Sequence, residues 1–280
     1  MKEIEVTAVT EAVRDLCIEA NYGLSSDMKA ALGKAAETEE SALGKQILSK
    51  LEENLKIAKE DTIPICQDTG MAVFFVELGQ EVHISGGSLE DAINEGVRRG
   101  YTEGFLRKSV VSDPIERVNT KDNTPAVIHY SVVPGDSLKL TIAPKGFGSE
   151  NMSRVFMLKP ADGIEGVKNA ILTAVKDAGP NACPPMVVGV GIGGTFEKCA
   201  LLAKKALTRP VGEHSEIPYV KDLEEEMLRR INATGIGPGG LGGSTTALAV
   251  NVLTYPTHIA GLPVGVNICC HVNRHASRVL

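Results

Sequence analysis

Three cysteines of this chain stand where a backbone can aim a thiol. Cys66 lies in "PICQDTG", Cys183 in "NACPPM", and Cys269 and Cys270 in "NICCHVN". Each stretch reads as a loop or a strand end beside Pro, Gly or polar residues, the kind of place from which a rigid scaffold presents reactive groups. Adjacent side chains on extended backbone point to opposite faces, so only one of Cys269 and Cys270 is expected to join the other two. Cys17 and Cys199 fall inside helical, partly apolar stretches and read as small core residues. Three separated thiolates with no C-x-x-C spacing make a poor zinc site. They suit an iron–sulfur cluster, whose ligands need only converge in space. Three ligands in place of four leave one iron open as a Lewis acid for hydroxyl and carboxylate oxygens, which is hydration and dehydration chemistry and not electron transfer.

Two glycine patterns compete for attention. Gly189, Gly191 and Gly194 match G-x-G-x-x-G between the strand "PPMVVGV" and the helix "TFEKCALLAKKAL". A nicotinamide-dependent dehydrogenase using the Gly189–Gly194 loop is therefore a remote alternative. That motif also needs a second strand ending in an acidic residue, whereas Glu213 follows a Pro-Val-Gly loop. "TGIGPGGLGGSTTALAV" is denser in glycine than a turn requires, and its amide groups could form a nest for an anion. The chain closes on "VNICCHVNRHASRVL", where Cys269, Cys270, His271, Arg274, His275 and Arg278 crowd together. Termini usually fray, so this stretch is either a polar tail or part of a site that something else completes.

The elements that must position these groups follow from composition and periodicity. The chain has 280 residues, 43% of them hydrophobic, enough for one large core or two modest ones. With 29 Lys+Arg against 35 Asp+Glu and no Trp, it lacks the basic stripe and stacking aromatics of a nucleic-acid binder. No run approaches the length of a membrane span and the start lacks a signal peptide, so a cytoplasmic protein with reduced thiols is expected. Residues 1 to about 60 read as helices, with Leu43, Ile47, Leu48, Leu51 and Leu55 at helical spacing. "MAVFFVELG" reads as a strand, and "SLEDAINEGVRRGYTEGF" as a helix capped by Ser88. "PAVIHYSVVPGDSLKLTIAPKG" reads as a hairpin turning at Pro134-Gly135-Asp136, and "GIEGVKNAILTAVKDAG" as a helix ended by Gly179. The expected fold is one mixed α/β (α+β) domain over 1–280, a helical N-terminal portion followed from about 61 by a mixed sheet covered by helices.

"PICQDTG", "KGFGSENMSR", "NACPPMVVGVGIGGTFEKCALLAKKAL" and "HIAGLPVGVNICCHVNRH" together resemble the α subunit, or N-terminal domain, of the class I iron–sulfur fumarate hydratases. The α subunit of L-tartrate dehydratase is the close relative. The resemblance runs from about residue 10 to the end. It implies a [4Fe-4S] cluster held by Cys66, Cys183 and Cys270, with one iron not ligated by cysteine; Cys270 is chosen over Cys269 by its offset from His258. It implies that Gln67, Asp68, Arg107 and Gly148 bind a C4 dicarboxylate, and that Asp68 and His258 are catalytic. The reaction implied is reversible hydration of fumarate to L-malate, with L-tartrate dehydration as the alternative. Further implied are a separate β subunit carrying the catalytic base, an α2β2 hetero-oligomer or an α dimer, and inactivity of this chain without β.

Overall fold

A computed structural model describes residues 2–280. In chain order the elements are β1 (Lys2–Glu5), α1 (Val6–Tyr22), α2 (Ser26–Thr38), α3 (Ala42–Glu60), β2 (Val73–Gly79), β3 (Val82–Ser85) and α4 (Leu89–Glu103). Next come β4 (Val127–Val133), β5 (Leu138–Ile142), α5 (Phe147–Glu150), β6 (Arg154–Leu158) and α6 (Gly163–Ala178). β7 (Met186–Gly193), α7 (Phe196–Ala206), α8 (Pro218–Asn232), β8 (Ala247–Tyr255), β9 (Leu262–Cys269) and β10 (Ala276–Val279) follow. The fold is mixed α/β, and it divides into two compact units. One comprises the residues up to Ser25, Leu55–Phe147 and Arg274–Leu280; the other comprises Ser26–Asn54 and Gly148–Asn273.

The first unit holds a sheet ordered β10-β5-β2-β4 and a parallel β1–β3 pair. The helix expected from the first residues begins only at Val6, because Lys2–Glu5 pair with Val82–Ser85 as a strand. The hairpin expected across Pro134 does not form: β2 lies between β4 and β5, parallel to the first and antiparallel to the second. Burial explains the insertion. Val73, Phe74, Phe75 and Val76 of β2 are all buried and need neighbours on both edges, whereas β4 has no fully buried residue and suits an edge. The turn residues serve β2 instead, with Gly79 N–H donating to the Ser137 carbonyl at 2.9 Å and Gln80 N–H to that of Val133 at 2.9 Å. α1 and α4 pack closely because Gly96 and Gly100 carry no side chain; a Cβ there would stand 2.5 Å from Val13 Cβ and 2.7 Å from Cys17 Cβ. The Ser88 hydroxyl caps α4 by accepting from Asp91 N–H at 3.3 Å, as its sequence position indicates.

The second unit is built on a sheet ordered β6-β9-β7-β8, with β7 parallel to β8 and antiparallel to β9. Side chains alternate across β7. Val188 and Val190 join Val167, Ile171, Leu223, Met227 and Ile231 of α6 and α8 in one core. Each such fully buried aliphatic side chain contributes about 1.5–3 kcal/mol. Gly189 and Gly191 face α7 instead. A Cβ at either would stand 2.1 Å from a helix carbonyl, that of Ala203 or Cys199. These glycines sit inside a strand with a helix against them, so they cannot form the phosphate-binding turn of a dinucleotide fold. Close helix–strand packing replaces the nicotinamide reading. Among the described residues no helix is long and apolar enough to cross a membrane.

Candidate active site

In the first unit the segment Cys66–Gly70 is a loop held from several sides. The Thr69 hydroxyl accepts from Arg107 N–H at 2.9 Å and lies 3.3 Å from the Arg107 carbonyl, so loop and arginine are fastened together. The Tyr101 hydroxyl lies 3.1 Å from the Thr69 carbonyl and 3.0 Å from that of Gly70, and Asn123 Nδ2 donates to the Gly70 carbonyl at 3.2 Å. Burial drives the Tyr101 phenol far above its ordinary range, which keeps it a neutral donor. Gly70, at φ +78°, passes so close to Lys145 that a Cβ would stand 2.7 Å from the Lys145 carbonyl carbon. Only glycine fits both the turn and the approach.

On this frame Cys66 is half-buried, Gln67 exposed and Asp68 half-buried. Cys66 Sγ donates to Gln67 Oε1 at 3.3 Å. The Asp68 carboxylate is oriented by two backbone donors, Gly70 N–H at 3.1 Å and Phe147 N–H at 3.0 Å. Arg107 is exposed, and among the described residues its guanidinium has no partner, which leaves its fork open for an incoming carboxylate. Cys66, Gln67, Asp68 and Arg107 are therefore brought together. Arg274 belongs to the same group: its Nη2 donates to the Asp68 carbonyl from a buried position. The sequence shows Arg274 only as one cation in a crowded stretch, with no signal for its burial.

In the second unit Cys183 ends a short 3-10 turn, Gly179–Ala182, in the left-handed conformation at φ 50° and ψ 64°. A non-glycine residue in that region is uncommon, and the thiol it carries is exposed. Cys270 follows β9 and is half-buried, whereas Cys269 is 5% exposed and paired with Val187 inside the sheet. His271 ties the two cysteine segments: its N–H and its Nδ1–H donate to the Cys183 carbonyl at 3.3 and 3.1 Å. Gly148 stands by the same turn, 3.8 Å from the Asn181 carbonyl to where its Cβ would be.

His258 is elsewhere. Cys269 pairs with Val187 at one end of β7, and Tyr255 with Gly193 at the other. His258 follows Tyr255, so about 20 Å of strand separates it from Cys270. It is exposed, its Nδ1 accepts from Ala260 N–H at 3.1 Å, and it borders a cleft with Gly194, Lys198 and Tyr255.

The remaining thiols are core residues. Burial pushes the Cys17 thiol far above its ordinary value and raises that of Cys199, so neither supplies a thiolate at neutral pH. Among the described residues no three His, Cys, Asp or Glu side chains gather tightly enough for a single metal ion. A cubane asks for a wider spacing, since each thiolate binds a different iron. The accessible donors Cys66, Cys183 and Cys270 fit such a group in type and in number.

The glycine-rich segment sought as an anion nest does bind an anion, and that anion is part of the chain. Glu39 is 1% exposed, and its Oε1 accepts from Ser244 N–H at 2.8 Å and from the N–H groups of Glu40 and Ser41 at 2.9 Å. Its Oε2 accepts from Thr245 N–H at 2.8 Å. Gly243 and Gly44 make room, since a Cβ at either would stand 2.7 or 2.8 Å from Glu39 atoms. Glu39 ends "AAETE" in the sequence, where nothing distinguishes it from a solvated helix-end acid.

Comparisons with known proteins identify the family. The family model of fumarate hydratase (fumerase) matches residues 10–279. A Methanocaldococcus jannaschii protein provisionally named L(+)-tartrate dehydratase subunit alpha is 42% identical over 274 residues, 96% of each chain. The L(+)-tartrate dehydratase subunit alpha of Escherichia coli strain UTI89 is 30% identical, covering 99% of this chain and 92% of its own, and that of strain K12 is 29% identical over the same span. A match that runs nearly from end to end, through every loop described above, means that the chain belongs to the fumarate hydratase family of hydro-lyases.

Proposed function

We propose that this chain is the cluster-bearing α subunit of a hydro-lyase that interconverts fumarate and L-malate, with its site completed by a separate β subunit. The observation that carries the reading is the pairing of accessible thiols by His271, which couples the Cys183 carbonyl to the residue after Cys270. Cys66, on its own rigid loop, supplies the third thiolate of a [4Fe-4S] cluster. Bound there, the iron without a cysteine offers a Lewis-acid site for hydroxyl and carboxylate oxygens. Arg107 grips a substrate carboxylate through its open fork, and Gln67 and the Gly148 backbone fix the rest of the diacid. Asp68, oriented by two N–H donors, holds or delivers a proton; the base that removes the C3 proton belongs to the β chain. His258, at the far end of its own sheet, can act in this reaction only from a second copy of the chain, which agrees with an α dimer within α2β2.

L-tartrate dehydration is the second reading, favoured by the names of the relatives at 30% and 42% identity. The two substrates differ by one hydroxyl. Anaerobic reconstitution of the chain should give about four iron and four sulfide per chain, as a cubane requires. Addition of the β subunit should then give malate dehydration, or oxaloacetate formation from L-tartrate if the second reading holds. Absence of both iron and sulfide after reconstitution removes the proposal.

A further inference from the structure

Arg274 is 5% exposed, so its charge is held away from water. Among the described residues only Nη2 has a hydrogen-bond partner, the Asp68 carbonyl; Nε and Nη1 are buried without an acceptor. Guanidinium cannot shed its proton, so the charge persists at every working pH. A buried cation normally faces a carboxylate, and one left uncompensated is strongly destabilising. The acid beside it does not fill that role. The Asp68 carboxylate is turned to Gly70 N–H and Phe147 N–H, and Arg274 reaches only its main-chain oxygen. Tyr101, over the same loop, is neutral.

The carbonyl that Arg274 holds belongs to the second residue after Cys66. Two residues of chain span about 7 Å at most. A buried positive charge with two unused donor groups therefore sits beside the loop that presents a thiol. We propose that Arg274 is a positioning residue for the cluster assigned to Cys66, holding the loop by the Asp68 carbonyl and acting as buried counter-charge to the thiolate-ligated group. A fixed positive charge near such a group favours its more reduced, more negative state. Arg274 accordingly raises the reduction potential and slows loss of iron. The inference rests on the cluster reading given under Proposed function.

The test compares the full chain as wild type, Arg274→Lys and Arg274→Gln after anaerobic reconstitution. It reads iron per chain, the midpoint potential by optical redox titration, and the rate of iron loss to a chelator. The expected result is a lower potential and faster iron loss for Arg274→Gln, with Arg274→Lys at the wild-type potential because it keeps the charge. An unchanged potential in Arg274→Gln overturns the inference, as does a downward shift in Arg274→Lys. If Arg274→Gln does not fold, Arg274→Met, which keeps the length of the side chain without its charge, takes its place: a lower potential than wild type supports the inference and an unchanged one overturns it. Failure of the wild-type chain to take up iron and sulfide is a separate outcome: it removes the cluster reading and this inference with it.

Discussion

Two loops of this molecule hold a buried charge, and they treat it oppositely. The glycine-rich segment around Ser244 surrounds the Glu39 carboxylate with backbone and hydroxyl donors, all from the chain itself. The Cys66–Gly70 loop lies against Arg274, whose Nε and Nη1 have no acceptor among the described residues. Buried polar groups in native proteins are nearly always satisfied, so the exception at Arg274 asks for a physical account, and the proposed cluster supplies one. A loop that completes its own bonding has nothing left to offer a ligand, however suggestive its composition; a loop that leaves charge and donors open does. The same contrast divides the cysteines, with Cys17 and Cys199 sealed in cores and Cys66, Cys183 and Cys270 left accessible.

The contrast among thiols predicts the largest effects. Cys66→Ser or Cys183→Ser should abolish bound iron and hydro-lyase activity together, because a hydroxyl is a poor ligand for a soft cluster iron. Cys199→Ser should keep both and lose about 1 kcal/mol of stability from burial of a hydroxyl in place of a thiol. Iron and sulfide analysis of the three variants, with thermal melting, checks this. Normal iron in Cys66→Ser would break the division between open and closed sites.

The closed loop predicts a pH dependence. Burial alone would raise the Glu39 pKa, but the N–H donors of Ser41, Ser244 and Thr245 outweigh it and lower it from 4.5 to about 2. A carboxyl whose pKa is depressed on folding stabilises the native state above its unfolded pKa and loses that contribution as pH falls through the folded one. The drop corresponds to about 3 kcal/mol at neutral pH. Glu39→Gln, which resembles the protonated acid at every pH, should be less stable by about that amount at pH 7. The difference should shrink steadily from about pH 5 towards pH 2. Denaturant titrations of both proteins at pH 7 and pH 3 measure it; an equal gap at the two values would show that the carboxylate charge is not what the nest holds.

Much of this was legible in the sequence, and the failures have physical reasons. Loops with Cys, Gly and Pro announced Cys66, Cys183 and the terminal pair, and alternation along β9 decides which of that pair is buried. Ser88 gave away the start of α4 because capping is local. What pattern could not show was partner choice at long range. Nothing in "VIHYSVVPGDSLKLTI" says that β2 will separate its two strands, since that follows from β2 being buried on both faces. Nor does "AAETEE" reveal that Glu39 reaches Ser244, 205 residues away. Arg274 was visible as a residue but not as a buried one, because the segment after it pairs with β5 and fixes the terminus: Leu280 N–H donates to the Leu138 carbonyl at 2.9 Å.

Gly189 and Gly191 extend the contrast to a motif. Both read as a nucleotide fingerprint, and both are filled by α7. Gly191→Ala would put a Cβ 2.1 Å from the Cys199 carbonyl, forcing helix and strand apart at a cost of about 2 kcal/mol, within the range for overpacking. Thermal melting should show the loss, and nicotinamide nucleotides should leave the melting point of the wild-type chain unchanged. A rise with nucleotide would return these glycines to the open class.

The smallest effect tests how closed the closed loop is. The Ser244 hydroxyl donates to Glu39 Oε1 at 3.2 Å and accepts from Glu40 N–H at 3.2 Å. Neither partner depends on it. Glu39 Oε1 keeps the N–H donors of Glu40, Ser41 and Ser244, and Glu40 N–H keeps its 2.9 Å bond to Glu39. Ser244→Ala therefore orphans no buried group and should cost only about 0.5–1 kcal/mol, the net value of one hydrogen bond. The acid limb of the stability curve should keep its position, because the backbone donors that lower the Glu39 pKa remain. A loss as large as that of Glu39→Gln would mean that the loop collapses when one hydroxyl is removed. Redundant donors, each worth little alone, are what distinguish this loop from the one at Cys66, where a single bond to the Asp68 carbonyl is the one hydrogen bond Arg274 makes among the described residues.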